Sequence, residues 1–164
     1  MHVLVAGIGN IFLGDDGFGV EVVQRLRSLP LPESVRVVDV GIRGVHLISE
    51  LLDSDYDTAI LIDAVPRGGP PGTLYLTEPD RESSRRGKTP DAHAMTPEAV
   101  LELLDSLGGR APRVLVLGCE PASVEEGIGL SEPVARAVDE AAAVVVGLVN
   151  GSRSAGGTPL AWSR

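Results

Sequence analysis

Two adjacent carboxylates, Asp15 and Asp16, close a glycine-rich turn (Gly7, Gly9, Gly14) near the start of the chain. Free N–H groups at a helix N-terminus normally favour an anion such as phosphate. Two negative charges in that place repel a phosphate and attract a cation, which disfavours a nucleotide-binding, flavodoxin-like reading. A further acid, Asp63, ends the apolar run of residues 58–65, where a buried carboxylate needs a partner. His93 lies in a polar stretch just ahead of the next helix and is the third candidate. Asp16, Asp63 and His93 make a mixed oxygen and nitrogen set suited to a borderline divalent metal such as nickel or zinc. An open coordination position would remain for substrate or water. Asp15 is expected to cap the following helix. Cys119 and Met95 read as packing residues, and His2 and His46 as structural ones.

Bringing Asp16 and Asp63 together requires particular elements. Residues 3–6 form a short apolar strand. Over residues 16–29, Phe18, Val22, Val23, Leu26 and Leu29 recur at three- and four-residue spacing, the mark of an amphipathic helix that Pro30 and Pro32 end. Residues 34–40 read as a strand, 41–44 as a turn, and 45–52 as a short helix with Leu47, Ile48, Leu51 and Leu52 inward. The unbroken apolar run 58–65 predicts a strand covered on both faces. A glycine-rich turn at 67–72 precedes an extra strand at 72–77, expected to run antiparallel.

Residues 78–95 form a polar loop holding Arg81, Arg85, Arg86 and Lys88, a length usual for functional or disordered loops. Thr96 and Pro97 start a helix to residue 107, stopped by Gly108 and Gly109. Residues 113–119 give another buried strand, and Ser131 is expected to cap a helix running through 149. Alternating strands and helices predict a three-layer α/β/α sandwich, phosphorylase/hydrolase-like, on a mostly parallel twisted sheet with right-handed crossovers. Residues 1–150 make one domain, and 151–164, without periodicity, a flexible tail. If the first strand lies between the second and third, the carboxyl ends of the first and third flank the crevice where such sheets bind ligands. Asp16 and Asp63 then face each other across it, which is costly unless a proton or cation sits between them.

The 164 residues suffice for one sizeable core. A net charge of −9 disfavours nucleic acid and anionic membranes as partners, since both need clustered Lys and Arg. A single cysteine excludes an internal disulfide framework and a cysteine-cluster zinc site, and suits a reducing cytoplasm. No basic leader region precedes the first apolar run, and the apolar run at 141–149 is too short to span a bilayer. A cytoplasmic location is expected.

Gly7-Ile8-Gly9-Asn10 followed by Gly14-Asp15-Asp16-Gly17-Phe18-Gly19 resembles the N-terminal signature of the [NiFe]-hydrogenase maturation endopeptidases. The resemblance continues, in order and spacing, through the 39–44 block, Leu61-Ile62-Asp63-Ala64, His93, Gly118-Cys119-Glu120-Pro121 and the 130–134 block. It implies an enzyme that removes a short C-terminal peptide from the precursor of a hydrogenase large subunit after nickel insertion. It implies Asp16, Asp63 and His93 as the metal-binding and catalytic set, with nickel carried by the substrate precursor rather than permanently bound. No Ser–His or Cys–His arrangement is apparent, which speaks against a covalent acyl-enzyme. A metal can polarise the scissile carbonyl or activate a water, and a carboxylate can act as general base. Three positions depart from the family pattern: Val40 and Ile42 replace a Gly and a Thr, and Glu120 replaces a Gln. They bear on which large subunit is cleaved, as does the charged loop 78–91. The alternatives are a nickel-binding or nickel-sensing module of the same fold that makes no cut, and a related protease with a non-hydrogenase substrate.

Overall fold

The structure is a computed structural model that describes residues 1–42, 44–53, 55–79, 97–107, 112–151 and 161–163. For residues 44, 45, 97, 98, 101, 105 and 161–163 it describes the backbone alone. In chain order the elements are β1 (Val3–Ile8), a single 3-10 turn (Gly14–Gly17), α1 (Phe18–Arg27), β2 (Val35–Gly41), α2 (Gly44–Asp53) and β3 (Thr58–Ala64). Then come β4 (Leu74–Thr77), α3 (Pro97–Ser106), β5 (Arg113–Cys119), α4 (Glu132–Val149) and β6 (Ala161–Ser163). The strands join in one sheet, in the order β2-β1-β3-β5-β4-β6.

The period-two rule of a strand shows directly in the two cores. Val3 and Val5 of β1, Ile60 and Ile62 of β3, and Leu115 and Leu117 of β5 point to one face, under Phe18, Val22 and Leu26 of α1 and Val134, Ala141 and Val145 of α4. Their neighbours Leu4, Ala6, Ala59, Leu61, Val114 and Val116 point to the other, against Leu47 and Leu51 of α2 and Val100 and Leu104 of α3. Helices on both faces make three layers. That double coverage is why β3 has to be apolar at consecutive positions, and truncating Leu61 to Ala would cost about 2–5 kcal/mol.

β1 pairs parallel with β2 and β3, and β3 parallel with β5. β4 runs antiparallel to β5, as the short run after the glycine-rich turn predicted. Of the segment expected to be a flexible tail, Ala161–Ser163 instead adds an edge strand, parallel to β4 with Tyr75 opposite Ala161. A three-residue strand is too short to show an alternating pattern. Residues 152–160, the Thr96 cap, the Gly108-Gly109 stop and most of the charged loop (80–95, including Met95) lie outside the described residues. Among the described residues no helix is long and apolar enough to cross a membrane.

Candidate active site

β1 lies between β2 and β3. The chain leaves β1 through α1 on one face and reaches β3 through α2 on the other, so the crevice opens at the carboxyl ends of β1 and β3. Asp16 hangs over it from the 3-10 turn. Two glycines fix that turn. Gly9 leaves β1 at φ +131°, and a Cβ there would overlap the Asp16 carbonyl oxygen. Gly19, in the first turn of α1, lies against the carbonyl oxygens of both Ile8 and Ile62, where no side chain fits. The side chain of Asp16 is held in turn: the Asn10 N–H donates to its Oδ2 at 2.8 Å, and Asn10 Oδ1 accepts the Phe12 N–H at 2.9 Å.

Asp63 stands at the end of β3, opposite Gly118 of β5. Its Oδ1 accepts the N–H of Ala64 at 2.8 Å. Burial pushes this carboxyl up to about 7, the negative charge of Asp16 adds to the rise, and the Ala64 hydrogen bond opposes only part of it. The structure therefore brings the predicted Asp16 and Asp63 into electrostatic contact across the crevice. His93 lies outside the described residues. Among the described residues no group of three His, Cys, Asp or Glu could hold a metal ion. The two facing carboxylates still suit a cation entering between them, because it would favour the ionised Asp63 that burial, and then the Asp16 charge, disfavour.

Asp15 does something different from what its position suggested. It is buried, at 1% exposure, and caps neither the 3-10 turn nor α1. Instead Oδ2 accepts the N–H groups of Ala122 (2.7 Å) and Ser123 (3.2 Å) and the Ser131 hydroxyl (2.9 Å), while Oδ1 accepts the Ser131 N–H (2.7 Å). Burial alone would push this carboxyl up; the hydrogen bonds, led by that from the Ser131 N–H, outweigh it and hold it below its ordinary value. The expected Ser131 cap is corrected by the same contact. Ser131 is the N-cap residue of α4, but its hydroxyl serves Asp15 rather than the helix.

Glu120, just past β5, is a second clamped acid that sequence reasoning noticed only as a departure from a pattern. Its Oε2 accepts the Arg67 N–H (2.7 Å) and the Tyr75 hydroxyl (2.8 Å), and Oε1 accepts the Gly68 N–H (3.0 Å). Successive backbone N–H groups make a small anion-binding concavity, and here the chain fills it with its own side chain. Burial would raise the carboxyl, but these donors together hold it low. Burial and the contact with Glu120 push the Tyr75 hydroxyl up, and the Arg67 guanidinium stacks 5.3 Å from the Tyr75 ring centre. The clamp fixes the loop that leaves β3 directly after Asp63.

Comparison with known proteins decides what this crevice belongs to. The hydrogenase maturation protease family matches residues 20–148, well over half the chain. The chain belongs to that family. A solved relative, the hydrogenase 2 maturation peptidase of Thaumarchaeota archaeon SCGC_AB-539-E09, is 35% identical, covers 90% of this chain and 97% of its own, and superposes with a TM-score of 0.70. The hydrogenase maturating endopeptidase HybD of E. coli is 28% identical over 92% of this chain and 93% of its own, with a TM-score of 0.75. The hydrogenase expression/formation protein HupD of Bradyrhizobium diazoefficiens is 37% identical over 81% of this chain and 70% of its own.

In this family member the lone thiol is no nucleophile. Cys119 is fully buried, and burial first, then the nearby charges of Asp15 and Glu120, pushes its thiol up to about 12. Its Sγ lies 3.8 Å from the Glu120 carbonyl oxygen. Only a thiolate attacks carbonyls readily, so at neutral pH Cys119 is inert packing, as its place at a strand end predicted. The Glu120 clamp also explains one departure from the family pattern. A Gln there would offer one acceptor oxygen and turn an NH2 toward one of the backbone donors, whereas Glu accepts on both sides.

Proposed function

We propose that this chain is the endopeptidase that removes a C-terminal peptide from the precursor of a [NiFe]-hydrogenase large subunit once nickel has been inserted. The observation that carries this is the Asp16 and Asp63 pair at the β1/β3 crevice of a maturation protease fold, with a proton affinity at Asp63 close to neutrality. Nickel arrives as part of the substrate. Asp16 and Asp63 present carboxylate oxygens to it, and His93 completes the set from the segment before α3. Bound there, the metal would supply Lewis acidity toward the scissile carbonyl or an attacking water. With a value near 7, Asp63 takes up and gives off its proton around neutral pH while the crevice is empty. A cation beside it would favour the ionised form, leaving the carboxylate free to ligate or to serve as base. A covalent intermediate on Cys119 is ruled against, since its thiol is buried and its proton held far above neutrality, and we place the reaction in the cytoplasm.

The test is incubation with nickel-loaded large-subunit precursor and mass spectrometry of the precursor's C-terminus. The wild-type chain should shorten the precursor, and Asp16→Asn, Asp63→Asn and His93→Ala should each leave it uncut. Nickel binding by the wild-type chain with the precursor left intact would point to the binding module instead.

A further inference from the structure

Large hydrophobic side chains scattered singly on a surface need no explanation, whereas clustered ones mark contact sites. Among the described residues, five of the ten exposed large hydrophobics come from two loops: Ile11, Phe12 and Leu13 after β1, and Val124 and Ile128 after β5. Phe12 is 59% and Ile128 81% exposed. The two loops are bonded to each other. The Gly127 N–H donates to the Phe12 carbonyl and the Gly14 N–H to the Gly127 carbonyl, both at 2.8 Å, and the Asp15 N–H donates to the Ser123 carbonyl at 3.0 Å. The Asp15 carboxylate then pins residues 122, 123 and 131 from below. These side chains are therefore held out on a fixed support.

The ridge is continuous with the crevice. Asn10, whose N–H orients Asp16, also uses its side chain to hold the Phe12 N–H, so one turn both aims the carboxylate and lifts the aromatic ring. Phe12 and Asp16 are thus joined through one residue, Asn10. The flank carries charge as well, since Glu125 and Glu126 are exposed in the second loop, on a chain of net charge −9. A second copy of this chain placed on the ridge by two-fold symmetry would set like charges together, and an anionic lipid surface would be repelled.

We propose that this ridge is the docking surface for the folded large-subunit precursor, which meets it with an apolar patch flanked by Lys or Arg close to the segment to be cut. This rests on the function proposed above and adds how the partner is held. The ridge supplies the apolar anchor, and Glu125 and Glu126 steer and orient the partner.

Steady-state cleavage of nickel-loaded precursor from the same organism, followed by mass spectrometry over a range of precursor concentrations and salt, tests it. The double variant Phe12→Ser/Ile128→Ser should raise KM about tenfold or more, with the loss falling on KM rather than kcat and no drop in melting temperature. Glu125→Lys/Glu126→Lys should also raise KM, by a factor that shrinks as salt screens the charges. Leu107→Ser, an exposed leucine just past α3, should leave both constants unchanged. Wild-type KM and kcat in both double variants, with the wild-type chain active, overturns the docking surface and leaves the endopeptidase function standing. A wild-type chain that neither binds nor cuts the precursor overturns that function, and the docking surface with it.

Discussion

Asp15 and Asp16 are neighbours in the chain and opposites in the fold. Asp15 belongs with Glu120 to a pair of anchors: each is buried, each accepts several backbone N–H groups and a hydroxyl, and each is held ionised below its ordinary range. Asp16 belongs with Asp63 to the crevice, where each carboxylate accepts one local backbone donor and burial and mutual repulsion push Asp63 up to about 7. The anchors are satisfied by the chain itself. The crevice pair keeps carboxylate oxygens that no described residue bonds and that solvent can reach. An acid whose hydrogen-bonding capacity is spent inside the fold organises structure, while an acid left short of partners at the mouth of a crevice is free for chemistry.

The largest effect expected from that contrast is at an anchor. Asp15→Ala orphans the N–H groups of Ala122 and Ser131 and frees the β5–α4 loop, and should cost about 3 kcal/mol or more in denaturant unfolding. A cost below about 1 kcal/mol would erase the distinction. Asp63→Asn should behave in the opposite way. The folded-state value of about 7 lies above the ordinary 3.8, so folding favours the protonated acid. The resulting stabilisation is present in full below pH 4 and is lost as pH rises through 7. Without metal, the wild-type chain should lose roughly 2 kcal/mol over that window, about half of the full linkage value because Asp63 is only partly buried and water screens it, while Asp63→Asn does not, so at pH 8 the variant should melt higher than wild type. Parallel stability curves for the two proteins between pH 4 and 8 would make Asp63 an anchor after all. The smallest effect belongs to Cys119→Ala, which should leave precursor cleavage unchanged and cost about 1 kcal/mol of packing. Rapid alkylation of native Cys119 at pH 7.5 would contradict its raised thiol.

Much of this contrast could be read from the residues, though unevenly. The strands and helices followed from periodicity, because both faces of β3 and β5 are covered and only an unbroken apolar run satisfies that. The approach of Asp16 and Asp63 was legible because sheet topology, a long-range rule, fixes where strand ends meet. The role of Asp15 was missed because capping rules see only nearby residues, and its true partners, Ala122, Ser123 and Ser131, come from the far end of the chain. Ser131 was misassigned for the same reason: its hydroxyl had a better acceptor elsewhere. Glu120 stood out only against the family pattern, since nothing local announces three donors converging from residues 67, 68 and 75.

Gly19 sets a limit on how far the crevice can change shape. It packs against the carbonyls of Ile8 in β1 and Ile62 in β3 at once, with no room for a side chain, so α1 cannot slide toward the crevice, and the packed core behind Phe18 and Val22 keeps it from retreating. The turn that carries Asp16 is thereby set against the end of β1 by close backbone packing rather than by a flexible hinge.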